Sequence, residues 1–237
     1  MKLTILGANG PYPAVDGACS GYLLSSDSGN THILFDCGTG CLAALRGLLP
    51  LEALTAVVLT HLHYDHMSDM LPMQYALQFS ARQTALPVLC PTAPTEARRL
   101  LDAKCFDLCL PEDRQIGELR LSFIPGVHPV PCVCVAVEGD GARFVYTGDT
   151  NENPALELFA DGCDLLLADA GLSSADWTPR APHLSAAMCG QLARAARVRS
   201  LVLTHLNPKY DPETLAAEAR AHYPNAELAV RGAQYLI

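Results

Sequence analysis

The chain carries the pentapeptide Val-Leu-Thr-His-Leu twice. VVLTHLHYDH runs from Val57 to His66 and LVLTHLNPKY from Leu201 to Tyr210. The two echoed histidines stand 144 positions apart (205 minus 61). That is too long for a solenoid period, so the echo predicts a fold of two similar halves. In each copy an aliphatic run with the composition of a fully buried strand exits at a threonine and delivers a histidine. The C-terminal ends of such strands are where open α/β sheets bind ligands. The first copy goes on to place His61, His63, Asp65 and His66 within six positions. A lone histidine in apolar surroundings is ordinarily a hydrogen-bonded core residue, and a charged tetrapeptide after a strand is ordinarily a solvated loop. Neither reading accounts for the second occurrence, which points to metal-ligand chemistry.

No linker, charge run or low-complexity stretch divides the 237 residues, and Pro, Gly and Ser are scattered through short turns. A single domain, residues 1–237, is expected, long enough to bury a sizeable core. MKLTILGANGPYP reads as a strand and a glycine turn with no export signal, and no run of about 18 apolar residues suggests a membrane span. We therefore expect a cytoplasmic protein whose ten cysteines, none in a C-x-x-C pair, are mostly reduced thiols. Cys132 and Cys134, two apart on an expected strand, share a face and are either small buried hydrophobes or metal ligands. The formal charge of −9 argues against a broad electrostatic grip on a nucleic-acid backbone.

Strands are expected over Leu3–Leu6, Gly21–Ser26 and His32–Asp36, then a helix over about Leu42–Leu49 before the strand leading to His61. MSDMLPMQYALQFSARQ reads as one helix. PVLCP reads as a strand, TEARRLLDAK as a helix and ELRLSFIP as a strand ending near His128. VPCVCVAVEGDGARFVYTGD is a hairpin about its Asp-Gly turn. The remainder alternates: helix from about Asn153, strand DLLLAD, helix SAAMCGQLARAA, strand SLVLT, helix PETLAAEARAHY and a final strand. Helices must cover both faces of the resulting sheets, which makes a layered α/β sandwich.

HLHYDH has the form H-x-H-x-D-H. With the downstream GVH (His128), TGDT (Asp149) and LTHL (His205), in that order, it resembles the metallo-β-lactamase fold superfamily over essentially the whole chain. The resemblance implies a four-layer αββα sandwich of two mixed β-sheets flanked by helices. It also implies two divalent metal ions, for which imidazole and carboxylate ligands suit zinc, manganese or iron. His61, His63 and His128 would form one site; Asp65, His66 and His205 would form the second; Asp149 would bridge them. Two such ions about 3.5–4 Å apart can clamp the attacking and leaving oxygens of an in-line displacement, with a shared hydroxide as nucleophile.

APHLSAAMCGQLARAARVRSLVLTHLNPKY resembles the HST motif and following helix of the ribonuclease Z branch, a phosphodiesterase group. The matching residue, His183, would donate a proton to the leaving alkoxide or stabilise charge on phosphate, with Asp65 sharing the proton handling. Transfer-RNA processing enzymes of that branch carry a long arm between the positions matching His128 and Asp149. Here 20 residues separate them (149 minus 128 minus 1), all taken by the hairpin. MSDMLP, where those enzymes have a glycine-rich sequence, is a second departure. Both, with the acidic charge, favour a small nucleotide or cyclic phosphodiester over RNA. The alternatives are an RNA 3′-end endonuclease, a hydrolase of carboxylic esters, thioesters or lactones, and a non-catalytic metal-binding module. Asp36 and Asp169, at strand ends, are read as partners orienting ligand histidines or as simple strand caps. Lys209 and Tyr210 are read as substrate-phosphate contacts or ordinary surface residues. A homodimer is the resemblance's remaining implication.

Overall fold

Alternate residues of the aliphatic runs go to different layers, as the twofold period of a strand requires. In the computed structural model, which describes all residues from Met1 to Ile237, Ile33 and Phe35 face one core while Leu34 faces another. Val57 and Val58 divide in the same way, as do Leu165 and Leu167 against Leu166 and Ala168.

The first sheet contains β1 (Lys2–Gly7), β2 (Gly21–Ser25), β3 (His32–Phe35), β4 (Ala56–Val58), β5 (Leu86–Leu89) and β6 (Phe106–Cys109) in sequential order. The second contains β7 (Arg114–Ile116), β8 (Leu119–Pro125), β9 (Val133–Gly139), β10 (Ala142–Tyr146), β11 (Leu165–Asp169), β12 (Leu201–Thr204) and β13 (Glu227–Leu228). The last strand, β14 (Gln234–Leu236), returns to pair antiparallel with β1, so each sheet has seven strands. The expected single final strand is thus two short ones in different sheets, and β6 and β7 went unread because neither alternates cleanly.

Both sheets pair antiparallel at their start and then parallel, from β3 onward in the first and β10 onward in the second. Counted from that change, His61 follows the next strand, β4, whereas His205 follows the one after, on β12. The halves are similar, as the echo predicted, but the two pentapeptides do not occupy equivalent strands.

The sheets face each other across a core with Ile33, Phe35, Phe144, Val135 and Leu167 at its centre. Phe35 and Phe144 meet edge to face at 5.9 Å, a pairing worth about 0.5–1.5 kcal/mol beyond burial. Outside the first sheet pack α1 (Cys41–Arg46), α2 (Tyr64–Met67), α3 (Met70–Gln78) and α4 (Thr95–Arg99). Outside the second pack α5 (Pro154–Ala160), α6 (Ala186–Ala195) and α7 (Pro212–Arg220), capped by the side chains of Asn153, Ser185 and Asp211. The order helix, sheet, sheet, helix is the four-layer αββα sandwich expected. The segment read as one helix after His66 is broken between α2 and α3 at Asp69, whose carboxylate accepts from the backbone N–H groups of Gly40 and Leu42 at the start of α1. The hairpin turn at Asp140 and Gly141 has positive φ at both residues, 53° and 74°, as a tight two-residue turn requires. No helix is long and apolar enough to cross a membrane.

Candidate metal centre

Histidines and aspartates from both sheets converge at one edge of the sandwich. His61 and His63 leave the end of β4, Asp65 and His66 lie on α2, His128 follows β8, Asp149 follows β10 and His205 follows β12. His205 sits in the left-handed region at φ 55°, a strained placement for a residue with a Cβ. A Cβ on Gly10 would overlap the His205 ring, so the glycine turn after β1 is what lets that ring seat.

Two ligand-like groups have Asp149 between them, and a third, overlapping them, joins Asp149, His183 and His205. In the first, His63 Nδ1 lies 3.0 Å from His61 Nε2 and 3.1 Å from His128 Nε2, and Asp149 Oδ2 stands 3.6 Å from His61 Nε2. In the second, Asp65 Oδ2 lies 3.5 Å from His66 Nε2 and 3.8 Å from His205 Nε2. The other Asp149 oxygen, Oδ1, stands 3.3 Å from both His66 Nε2 and His205 Nδ1. Asp149 is 2% exposed, and Asp65 Oδ2, His66 Nε2, Asp149 Oδ1 and His205 Nε2 are buried without a hydrogen-bond partner. Buried polar atoms are normally paired, so four orphans facing one another mark a place built for cations. The donor set, five imidazoles and two carboxylates, fits divalent ions of the zinc, manganese or iron type.

The charge pattern agrees. Burial would raise the Asp149 carboxyl, but His205, His66 and His61 outweigh it and hold Asp149 well below the usual carboxylate range. Burial would likewise lower His66, but Asp149 and Asp36 raise it well above the ordinary imidazole value. His61 and His205 are pushed down, chiefly by burial. Asp65 is lowered, because bonding and charge from His66 outweigh its burial.

Partners drawn from elsewhere in the fold orient these side chains. Asp36, at φ 56° just after β3, accepts from the Thr60 N–H at 2.8 Å through Oδ1. Its Oδ2 accepts from His66 Nδ1 and from the Tyr146 hydroxyl, both at 2.8 Å. His128 Nδ1 donates to the carbonyl of Pro182 at 2.9 Å. Tyr22 stacks edge to face on Tyr146 and shares a 2.6 Å hydrogen bond with Thr204, the residue before His205.

His183 joins this set from the segment before α6. Its Nδ1 donates to Asp169 Oδ2 at 2.9 Å, its ring stacks on His205 at 4.7 Å, and it is 5.6 Å from the His128 ring. Its burial lowers the imidazole, but the Asp169 charge and hydrogen bond outweigh that and bring it up to about 9. Asp169 is fixed in turn by the N–H groups of Thr150 and Gly171.

Lys209 and Tyr210, read from the sequence as substrate-phosphate contacts or ordinary surface residues, lie outside the ligand groups. Both bond Asp176, at 2.9 and 2.6 Å, on an exposed loop. Cys132 and Cys134 are buried free thiols outside the ligand groups. Sequence reasoning missed Thr60, Tyr146, Asn151 and the Pro182 carbonyl. Each had a positional cue: Thr60 adjoins His61, Pro182 adjoins His183, and Tyr146 and Asn151 flank TGDT.

A family model described as a β-lactamase superfamily domain matches residues 31–206. The chain belongs to the β-lactamase superfamily, and its His/Asp cluster is that of a metallo-hydrolase. Among its relatives, a probable metallo-hydrolase, YhfI of Bacillus subtilis, is 31% identical, with 97% of this chain and 96% of that protein aligned. The crystal structure of YhfI superposes with a TM-score of 0.92 over 99% of both chains at 30% identity. A ribonuclease Z of Methanopyrus kandleri is 28% identical over 98% of this chain and 96% of its own length. The short form of human tRNase Z shares the fold, with a TM-score of 0.80 at 19% identity over 100% of this chain and 99% of its own.

Proposed function

We propose that the chain is a dinuclear metal-dependent phosphodiesterase acting on a small nucleotide or cyclic phosphodiester. The observation that carries this is His183: a braced imidazole stacked over one ligand histidine and close to another, beside the place where a substrate would meet the ions. His61, His63 and His128 would hold one ion, Asp65, His66 and His205 the other, with Asp149 shared. Ions held there supply charge neutralisation at phosphate and a lowered pKa for water.

The protein groups do the rest. Asp169 takes the Nδ1 proton of His183 into a hydrogen bond and so leaves Nε2 as the nitrogen that meets substrate. A proton on Nε2 passes to the departing alkoxide oxygen as its bond to phosphorus breaks. Asp65, a ligand in the second group whose carboxyl is held ionised by His66, would share the proton handling with His183. Asp36 keeps His66 turned toward Asp149 throughout.

The hairpin β9–β10 fills the stretch where ribonuclease Z enzymes would carry a transfer-RNA arm, which supports a small substrate. Zinc- or manganese-loaded protein is expected to hydrolyse bis(p-nitrophenyl) phosphate, and His183→Ala to lower that rate by about 10²-fold or more with metal content unchanged. No diester turnover by metal-replete wild type would end this reading. Turnover of esters or lactones that survives loss of His183 would favour the carboxylic hydrolase, and cleavage of unprocessed transfer RNA the RNA enzyme.

A further inference from the structure

His183 is delivered by an irregular loop, Ser173–Pro182, that lies largely on the surface. Catalytic positioning at the level of about 1 Å needs such a loop to be held, since misplacement of that size costs about 10²-fold in rate. The holding group is Asn151, a 3% exposed side chain two residues after Asp149. Its Nδ2 donates to the Ala181 carbonyl at 2.6 Å and reaches those of Thr178 and Pro179 at 3.4 Å. Its Oδ1 accepts from the indole Nε1 of Trp177 at 2.8 Å and from the Glu152 N–H.

Three consecutive residues thus serve one task. Asp149 faces both ligand groups, the Thr150 N–H bonds the Asp169 carboxylate that holds His183, and Asn151 grips the loop on either side of Arg180. The same grip sets the Pro182 carbonyl that accepts from His128. Farther out, Glu218 accepts from the Ser174 N–H and hydroxyl, and Asp176 is bonded by Lys209 and Tyr210. Lys209 and Tyr210 therefore act as loop anchors.

We infer that Asn151 is a positioning residue that, through the Trp177 loop, sets His183 and the Pro182 carbonyl over the metal centre. The inference rests on the phosphodiesterase reading for its kinetic consequence but not for its structural one. Both faces of the amide are used, so a carboxylate in its place would set oxygen against the loop carbonyls, and neither Asp nor Ala can substitute.

Trp177 is the only tryptophan, so its emission reports the grip directly, without metal or substrate. In Asn151→Asp and Asn151→Ala, the emission is expected to shift to the red and acrylamide quenching to rise. On bis(p-nitrophenyl) phosphate, kcat is expected to fall about 10- to 100-fold with KM within about twofold. In a His183→Ala background the same changes should cost no more than about threefold further, the share carried by the Pro182 carbonyl and His128, because most of the effect passes through His183. Trp177→Phe, which removes only the indole donor, should lower kcat about 3- to 10-fold and serves if the Asn151 variants do not fold. Unchanged emission, or losses that multiply with that of His183→Ala, would overturn the inference. If wild type turns over no diester, the functional reading fails on its own and the emission of the variants alone decides whether Asn151 holds the loop.

Discussion

Asp36 concentrates the logic of the site in one side chain. Its two oxygens accept from Thr60, His66 and Tyr146, which come from three different elements. Asp36→Ala leaves those donors buried and unpaired, and removal of one partner from such a buried set costs about 3–5 kcal/mol. It should also weaken metal retention at the His66 site about 10- to 100-fold, as loss of a partner orienting a ligand histidine does. Urea unfolding and competition against a chelator measure the two, and a variant of wild-type stability and affinity would refute this role. At this scale the candidate ligand residues and His183 were legible because chemistry-bearing side chains cluster in short motifs. For Asp36 and Asp169 the sequence left two readings, partner of a ligand histidine or strand cap, since the donors they serve lie 24 to 30 and 14 to 19 positions away, apart from Gly171, and in the case of Tyr146 110. The bond from Lys209 to Asp176, 33 residues upstream, was out of reach of sequence reading for the same reason.

Helices α6 and α7 pack on the second sheet with Gly190 at their contact, where a Cβ would run into the backbone carbonyl of Ala219. Helix propensity alone favours Gly190→Ala by about 1 kcal/mol. Contact with rigid backbone reverses the sign, so a net loss of about 1–2 kcal/mol is expected, with kcat on a diester substrate little changed because the clash lies at the α6–α7 contact. A neutral or stabilising result in urea unfolding would mean that the helices separate freely. Elements with a clean period were legible at this scale: the hairpin at Asp140–Gly141, β11, β12 and the capped helices α5 to α7. The break between α2 and α3 was not, because Asp69 stops the helix in order to cap α1, a partner about 27 residues upstream.

For the whole molecule, the candidate metal centre is a seam between two sheets. His61, His63, Asp65 and His66 come from the first-sheet half, and His128, Asp149 and His205 from the second. Ions that bind only the folded chain stabilise it by about 2.7–4.1 kcal/mol at 100 to 1,000 times Kd. Removing them with a chelator should lower Tm by roughly 5–15 °C, reversibly on adding zinc. An unchanged Tm would mean that the seam holds no ion. In the metal-free chain His66 has a raised pKa, so its imidazolium stabilises the fold below the unfolded value near 6.5 and that contribution is lost as pH rises through the raised value. A cation at Nε2 must displace that proton, so metal uptake at neutral pH should release protons, measurable by titration calorimetry in buffers of different ionisation enthalpy.

The sequence by itself determined the two-half α/β architecture, the family and which residues are candidates for the ligand set and for the histidine before α6, because strand periodicity and ligand motifs are short-range properties. Only the tertiary structure decided which strands the two histidines follow, which carboxylate turns each imidazole, and that Asn151 holds the His183 loop. Those are contacts between residues far apart in the chain, and they exist only once two sheets have packed face to face and brought their strand ends to one edge.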